Sequence, residues 1–202
     1  MAAHVGVVAC SAEGAALCYR TLCAEAPERM GEHDHPEITM HTHPLAEYMM
    51  SIRRGGWDAV AELMLSSARK VAEAGADFAI CPDNTIHQAF GLVVERSPIP
   101  WLHIAEAVGA EAQRQAMKRL AILGTKYLMT GPVYPETLGP LGIDCEIPDE
   151  RDRRRINRII FTELVNAQLL EASRLYFNEV IDKLKSRGCD GVVLGCTEIP
   201  LL

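Results

Sequence analysis

Gly75-Ala76-Asp77-Phe78-Ala79-Ile80-Cys81-Pro82-Asp83-Asn84-Thr85 and Gly188-Cys189-Asp190-Gly191-Val192-Val193-Leu194-Gly195-Cys196-Thr197-Glu198 repeat one pattern 113 residues apart. Each runs Gly-x-Asp, then a short apolar stretch, then a chemically able side chain six positions after the Asp. A second pair keeps nearly the same offset: Val7-Val8-Ala9-Cys10-Ser11 matches Ala121-Ile122-Leu123-Gly124-Thr125, placing Ser11 on Thr125 at 114. Two separate matches at almost one offset argue for an internal duplication, although strand–turn–helix segments resemble one another in any α/β protein.

Outward from these stretches the chain alternates strand and helix. His4 to Cys10 is a short apolar run that ends in the small-residue turn Ser11-Ala12-Glu13-Gly14, and a helical stretch follows from Ala15 to about Ala26. Ile38 to Thr42 reads as a strand. Trp57 to Ala74 carries Val60, Leu63, Met64 and Val71 at helical spacing and stops at Gly75, a helix C-terminal signal. Asp77 to Cys81 reads as a buried strand. After Pro98-Ile99-Pro100 the reading repeats: helix from His103 to about Arg119, strand from Leu120 to Leu123, a weaker strand from Gly142 to Glu146. Asp152 to Arg187 is helical, as two helices or one bent one, and Asp190 to Leu194 is the last strand. The expected fold class is therefore α/β, with two pseudo-symmetric parallel-sheet βαβ domains, residues 1–100 and 101–202, facing a central cleft.

Bulk properties narrow the partners. In 202 residues, 49% hydrophobic and 23% charged is an ordinary globular balance. The net charge of −7 argues against nucleic acid, which needs a basic face. No run approaches the roughly 20 apolar residues of a membrane span, and the N-terminus lacks the basic and apolar regions of a signal peptide. Seven scattered cysteines (10, 18, 23, 81, 145, 189, 196) without a C-x-x-C pair read as reduced thiols, pointing to the cytoplasm.

Ser11, Asp83, Thr125 and Cys196 each follow a predicted strand, and ligands of open parallel sheets gather at the carboxyl ends of strands. Each also has an ordinary reading. A cysteine after an apolar strand is commonly a small buried hydrophobe, Asp83-Asn84-Thr85 suits a helix N-cap, His87 suits a solvated first turn, and Thr197-Glu198 another cap. Paired placement favours function: two halves offering Asp83 and Cys196 suit removal of a proton from one face of a carbon and its delivery to the other.

Leu194-Gly195-Cys196-Thr197-Glu198-Ile199-Pro200-Leu201-Leu202 resembles the C-terminal motif of the aspartate/glutamate racemase superfamily, and Pro82-x-Asn84-Thr85-x-His87 resembles its N-terminal one. Ile99 to Ile104, Leu123 to Tyr127 and Ile159 to Leu164 are similar to the family as well, so the likeness spans essentially the whole chain. It implies a racemase that needs no cofactor and no pyridoxal phosphate, acting on a small carboxylate or amino acid. Catalytic groups would be Cys196 and the residue at 83. By match, Asn84, Thr85 and Thr197 would bind the substrate carboxylate, with Ser11 and Thr125 nearby. Members often form homodimers, and they continue past the Gly-Cys-Thr-Glu motif with a strand and helix that this sequence does not contain.

One departure matters. The family's first catalytic cysteine is Asp83 here, and Cys81 stands two residues earlier. Three mechanisms follow: an Asp83/Cys196 racemase, a single-cysteine decarboxylase or isomerase of a small dicarboxylate with Asp83 only binding, or Cys81 replacing the missing thiol. A non-catalytic carboxylate-binding member is the remaining alternative. For the first, a carboxyl near ~3.9 and a thiol near ~8.5 differ by about 4.6 pH units, roughly 6 kcal/mol in basicity. Burial of the carboxyl narrows that gap. The basic residues that hold the distal carboxylate in relatives have no clear match; Arg53-Arg54 suits a solvated loop, and Val165 stands where some relatives carry lysine. His33, His35, His41 and His43 read as loop and strand end rather than a metal centre, and Asp149 to Arg155 as a solvated helix start.

Overall fold

The computed structural model describes residues 3–202, which divide into two compact units, one ending at His103 and the other running from Ile104 to Leu202. The first comprises β1 (His4–Ala9), α1 (Ala12–Glu25), α2 (Pro27–Met30), β2 (Glu37–Thr42), α3 (Leu45–Ile52), α4 (Trp57–Glu73), β3 (Phe78–Ile80), a 3-10 helix over Thr85–Ala89 and α5 (Phe90–Val94). The second comprises α6 (Ile104–Arg114), β4 (Arg119–Leu123), α7 (Lys126–Met129), α8 (Val133–Leu138), β5 (Asp144–Glu146), α9 (Glu150–Thr162), α10 (Glu171–Ser186), β6 (Gly191–Leu194) and a 3-10 helix over Ile199–Leu201. Each unit holds a three-stranded parallel sheet, ordered β2-β1-β3 in the first and β5-β4-β6 in the second.

The first strand of each half is the central one and must be covered on both faces, which explains its near-continuous apolar sequence. All six residues of β1 are buried. Val60, Ala61, Met64, Leu65, Ala68 and Val71 form the buried stripe of α4 beside it. On β4 the faces separate by alternation. Ala121 and Leu123 join Ile156, Ile159 and Ile160 of α9 and Tyr176, Phe177, Val180 and Leu184 of α10. Leu120 and Ile122 join Ala105 and Ala112 of α6 and Val133, Tyr134 and Leu138 of α8.

The repeated Gly-x-Asp is one device used twice. At the end of α4, Gly75 (φ 99°) lets its N–H reach Ala72 O and the Ala76 N–H reach Val71 O. After α10, Gly188 (φ 90°) does the same, with bonds to Lys185 O and Leu184 O. This is the Schellman ending, for which glycine is favoured because the backbone is left-handed there. The aspartate that follows clamps the start of the central strand. Asp77 accepts from the His4 N–H at 2.7 Å and donates its own N–H to His4 O at 2.8 Å. Asp190 accepts from the Lys118 and Arg119 N–H groups at 2.7 and 3.0 Å, and its N–H reaches Arg119 O at 3.0 Å.

Several expectations shift. The predicted helix from His103 to Arg119 ends at Arg114: Ala116 takes a left-handed φ of 56°, Met117 N–H bonds Ala112 O, and Arg119 begins β4. The division between halves was expected after residue 100, but Pro100–Leu102 stays with the first unit. It extends the sheet beside β3, through Ala79 N–H to Pro100 O at 2.8 Å and Leu102 N–H to Ala79 O at 3.1 Å. The charged run at 149–155 is not wholly solvated. Asp149 caps α9, but Asp152 is buried and ties α9 to α10 through the Tyr176 hydroxyl at 2.5 Å and Lys183 Nζ at 2.9 Å. His41 and His43 bond Ser67 and Ser66 of α4 at 2.9 and 3.0 Å, joining β2 to that helix. Among the described residues no three His, Cys, Asp or Glu side chains gather as a metal site, no disulfide joins the cysteines, and no helix is long and apolar enough to cross a membrane.

Beyond β6, Gly195 N–H bonds Leu123 O at 2.6 Å, so the outer strand stays attached to β4 one residue past its end. Leu128 packs over this junction. A Cβ at Gly195 would run into Leu128 Cδ2 and lie 2.9 Å from Leu123 O, leaving no room for a side chain.

Gly195→Ala is therefore expected to cost about 1–3 kcal/mol of stability, read as a lower urea midpoint. Asp190→Ala should cost about 1 kcal/mol at pH 7, a figure already discounted for solvent exposure. The two backbone donors hold the Asp190 carboxyl below its ordinary value. Its contribution is complete above the unfolded carboxyl value of ~3.9 and is lost as pH falls through the lower folded one. Urea titrations should show the gap between wild type and variant closing in that acid window; a gap independent of pH would remove the clamp.

Candidate functional site

In the first unit the candidate residues follow β3. Asp83 Oδ1 accepts the Ile86 N–H at 3.2 Å, so its carboxyl helps start the 3-10 helix at Thr85. His87 lies one turn on and is 3% exposed, not solvated as its first-turn position suggested. Its Nδ1 sits 2.7 Å from the Asp83 carbonyl. A carbonyl only accepts, so Nδ1 carries the proton and donates. Burial pushes the His87 imidazole down to about 4, partly opposed by that bond and helped by nearby His103. The ring is therefore neutral at pH 7 and holds the Asp83 backbone. It stacks on Phe90 at 5.6 Å and meets His103 edge-on at 4.8 Å. Phe90 in turn meets Trp101, whose indole N–H donates to Ser97 at 2.7 Å.

Asn84 and Thr85 are both buried, at 5% and 8% exposure. Cys81 is buried and its Sγ points weakly at the Asp83 carbonyl, 3.9 Å away. Burial first, and the Asp83 charge second, push its thiol well above the ordinary value, which disfavours the thiolate. Tyr48 was not singled out from the sequence. It is fully buried and close enough to Cys10, Cys81 and Asp83 for their charges to act on it, and burial pushes its hydroxyl up.

The second unit builds its loop in the same way, a 3-10 helix following the outer strand. Cys196 is half-buried, two residues past β6. Its Sγ lies 2.8 Å from Glu198 Oε2, and Thr197 Oγ1 lies 3.5 Å from the same oxygen. Glu198 is 1% exposed and precedes the 3-10 helix, but its side chain makes no capping bond there and accepts from Cys196 instead, so the alternative of a mere cap does not describe it. The cysteine carbonyl accepts the Ile199 N–H at 2.9 Å, closing the turn.

Ser11 and Thr125 occupy matching positions as N-caps. Ser11 Oγ accepts the Gly14 N–H at 3.3 Å at the start of α1, and Thr125 Oγ1 accepts the Leu128 N–H at 3.2 Å at the start of α7. Each side chain is about nine-tenths buried at the carboxyl end of the central strand. In both units, then, the cap after the central strand and the loop after the outer strand bring the sequence-derived residues to the same edge of their own sheet. Ser11, Asp83, Asn84 and Thr85 belong to the first unit, Thr125, Cys196 and Thr197 to the second. The residues missed were Tyr48 and the thiol-bonded Glu198. The motif contained Glu198, but nothing in its spacing marked it as buried.

A family profile described as Asp/Glu/Hydantoin racemase matches residues 6–202. The chain is 30% identical to a Yersinia pestis protein assigned as an Asp/Glu racemase, over 99% of this chain and 88% of that one, with a TM-score of 0.87. An aspartate racemase homologue from Pyrococcus horikoshii OT3 is 27% identical over 98% of this chain and 87% of that one, with a TM-score of 0.82. The broad specificity amino-acid racemase RacX of Bacillus subtilis (strain 168) is 22% identical over 82% of this chain and 70% of its own length. The match to the glutamate racemase of Desulforudis audaxviator (strain MP104C), 26% identical, spans only 46% of that relative. The chain belongs to the Asp/Glu/Hydantoin racemase family.

Proposed function

We propose that this chain is a cofactor-independent amino-acid racemase in which Asp83 and Cys196 exchange the substrate's α-proton. The observation that carries the reading is positional. The repeat puts Asp83 and Cys196 at one place in one design, in the loop joining the outer strand to a short 3-10 helix. Family membership supplies the reaction class, and the Gly195-Cys196-Thr197-Glu198 motif is intact.

The chemistry runs in two proton transfers. One group, as its anion, takes the α-proton and leaves a carbanion delocalised into the α-carboxylate. The other, in its acid form, returns a proton to the opposite face, so each turnover leaves the two groups with protonation states exchanged. Asn84, Thr85 and Thr197, with Ser11 and Thr125, would bind the carboxylate as the charge develops on it. Burial and a thiol held well above its ordinary value speak against Cys81 as the second group. Since a carboxylate and a thiolate differ so much in basicity, the two directions should have unequal kinetic constants. The equilibrium ratio of free enantiomers stays at one.

A second reading has an observation of its own. The bond from the Ile86 N–H to Asp83 Oδ1 is a structural task for that carboxyl. It favours a single-cysteine enzyme, decarboxylating or isomerising a small dicarboxylate, with Asp83 as scaffold.

Proton NMR in D2O with both enantiomers of aspartate, glutamate and neutral amino acids tests the pair. Loss of the Cα–H signal with at least one of them is expected, abolished in Cys196→Ala. Asp83→Asn keeps an acceptor for the Ile86 N–H yet removes the acid–base group, and should slow exchange about 100-fold or more. Exchange that survives Asp83→Asn but not Cys196→Ala would transfer the case to the single-cysteine reading. No exchange with any amino acid would end the racemase proposal.

A further inference from the structure

Glu198 is the most deeply buried acid in the second unit's loop, at 1% exposure, and its hydrogen-bond donors there are a thiol and a hydroxyl. Its second oxygen, Oε1, has no hydrogen-bond partner among the described residues. A carboxylate taken from water normally finds a cation or several strong donors. This one finds Cys196 Sγ at 2.8 Å, and the following residue, Ile199, is buried. Cys196 itself packs against an apolar cluster drawn from β4, α7, α9 and α10. The titratable members of that cluster are Cys189 and Tyr176, and the Tyr176 hydroxyl donates to Asp152. Nearby Glu163 accepts from the Ser173 hydroxyl. Glu198 thus presents a carboxylate directly to the Cys196 thiol.

Two anions at that separation repel strongly, and the Glu198 side of the contact is shielded from solvent, so the pair favours holding a proton. We infer that Glu198 is a positioning residue that shares one proton with Cys196 and keeps it a thiol at neutral pH, making Cys196 the proton donor of the resting protein. This rests on the reading in which Cys196 handles the substrate's α-proton. When the S–H bond breaks and the proton passes to the substrate carbanion, the thiolate left behind faces the Glu198 carboxylate. That repulsion makes it a stronger base for the reverse transfer, in which it takes an α-proton back and restores the S–H···O bond. The same carboxylate thus orients the sulfur and sets its appetite for a proton.

The test uses the whole chain without substrate: iodoacetamide alkylation from pH 6 to 10, with Cys196 followed by mass spectrometry of its own peptide. In the wild type the midpoint for Cys196 should lie above the ordinary thiol value near ~8.5. Glu198→Gln keeps the shape and removes the charge; its midpoint should fall by about one pH unit, with about tenfold faster alkylation at pH 7.5. A wild-type midpoint at or below the ordinary value overturns the inference by itself, even if the variant fails to fold. An unchanged profile in a folded Glu198→Gln protein overturns it equally. Because no turnover is involved, failure of the racemase reading shows separately, as absent Cα–H exchange beside an intact alkylation shift.

Discussion

At the end of α4, and again after α10, the chain must stop being a helix, turn back and enter a sheet beside its central strand. A left-handed glycine does the stopping, and an aspartate two residues later does the entering. The aspartate's position fixes register: Asp77 bonds His4, so Phe78 pairs with Val5, and Asp190 bonds Arg119, so Gly191 pairs with Leu120. A one-residue slip would invert which side chains face the core. Everything that follows the outer strand inherits its height from this clamp, including Asp83 in one unit and Cys196 in the other.

Much of this was legible because it depends on local chemistry. Gly75 and Gly188 announce helix ends, the apolar runs at 4–10 and 120–123 announce strands, and Ser11 and Thr125 follow those strands as expected, while their capping of α1 and α7 emerges only in the structure. What was missed depends on tertiary contacts. Ala116 performs glycine's task at the end of α6, so the break before β4 carried no residue signal. Asp152 looked like one more charge on a solvated helix start, since its partners Tyr176 and Lys183 lie on another helix. The burial of His87 follows from stacking on Phe90 and an edge-on contact with His103. The motif placed Glu198 beside Cys196 in sequence, but only the turn after β6 brings its carboxyl back to the sulfur.

The two loops differ in how they handle charge, although their backbones are built alike. In the first, a neutral imidazole donates to the backbone carbonyl of Asp83, and the carboxyl itself takes a backbone N–H. A buried histidine that stays neutral adds rigidity without adding a positive charge beside a carboxylate. In the second loop the carboxyl is the supporting group and the thiol is the supported one. The roles of carboxyl and partner are exchanged between the halves, although the two sheets share one strand order.

The clamp also says where the fold can store length. From Ala9 to Glu37 the first crossover is longer than its counterpart from Leu123 to Asp144, whereas from Thr42 to Phe78 the second is shorter than its counterpart from Glu146 to Gly191. Yet the step from glycine to outer strand is the same in both units, Gly75 to Phe78 and Gly188 to Gly191. Insertions and deletions upstream of the glycine are absorbed before the return begins, like slack taken up ahead of a fixed pulley. The halves of such a protein can therefore drift apart in size and sequence over most of their length while the loops after their outer strands stay in step.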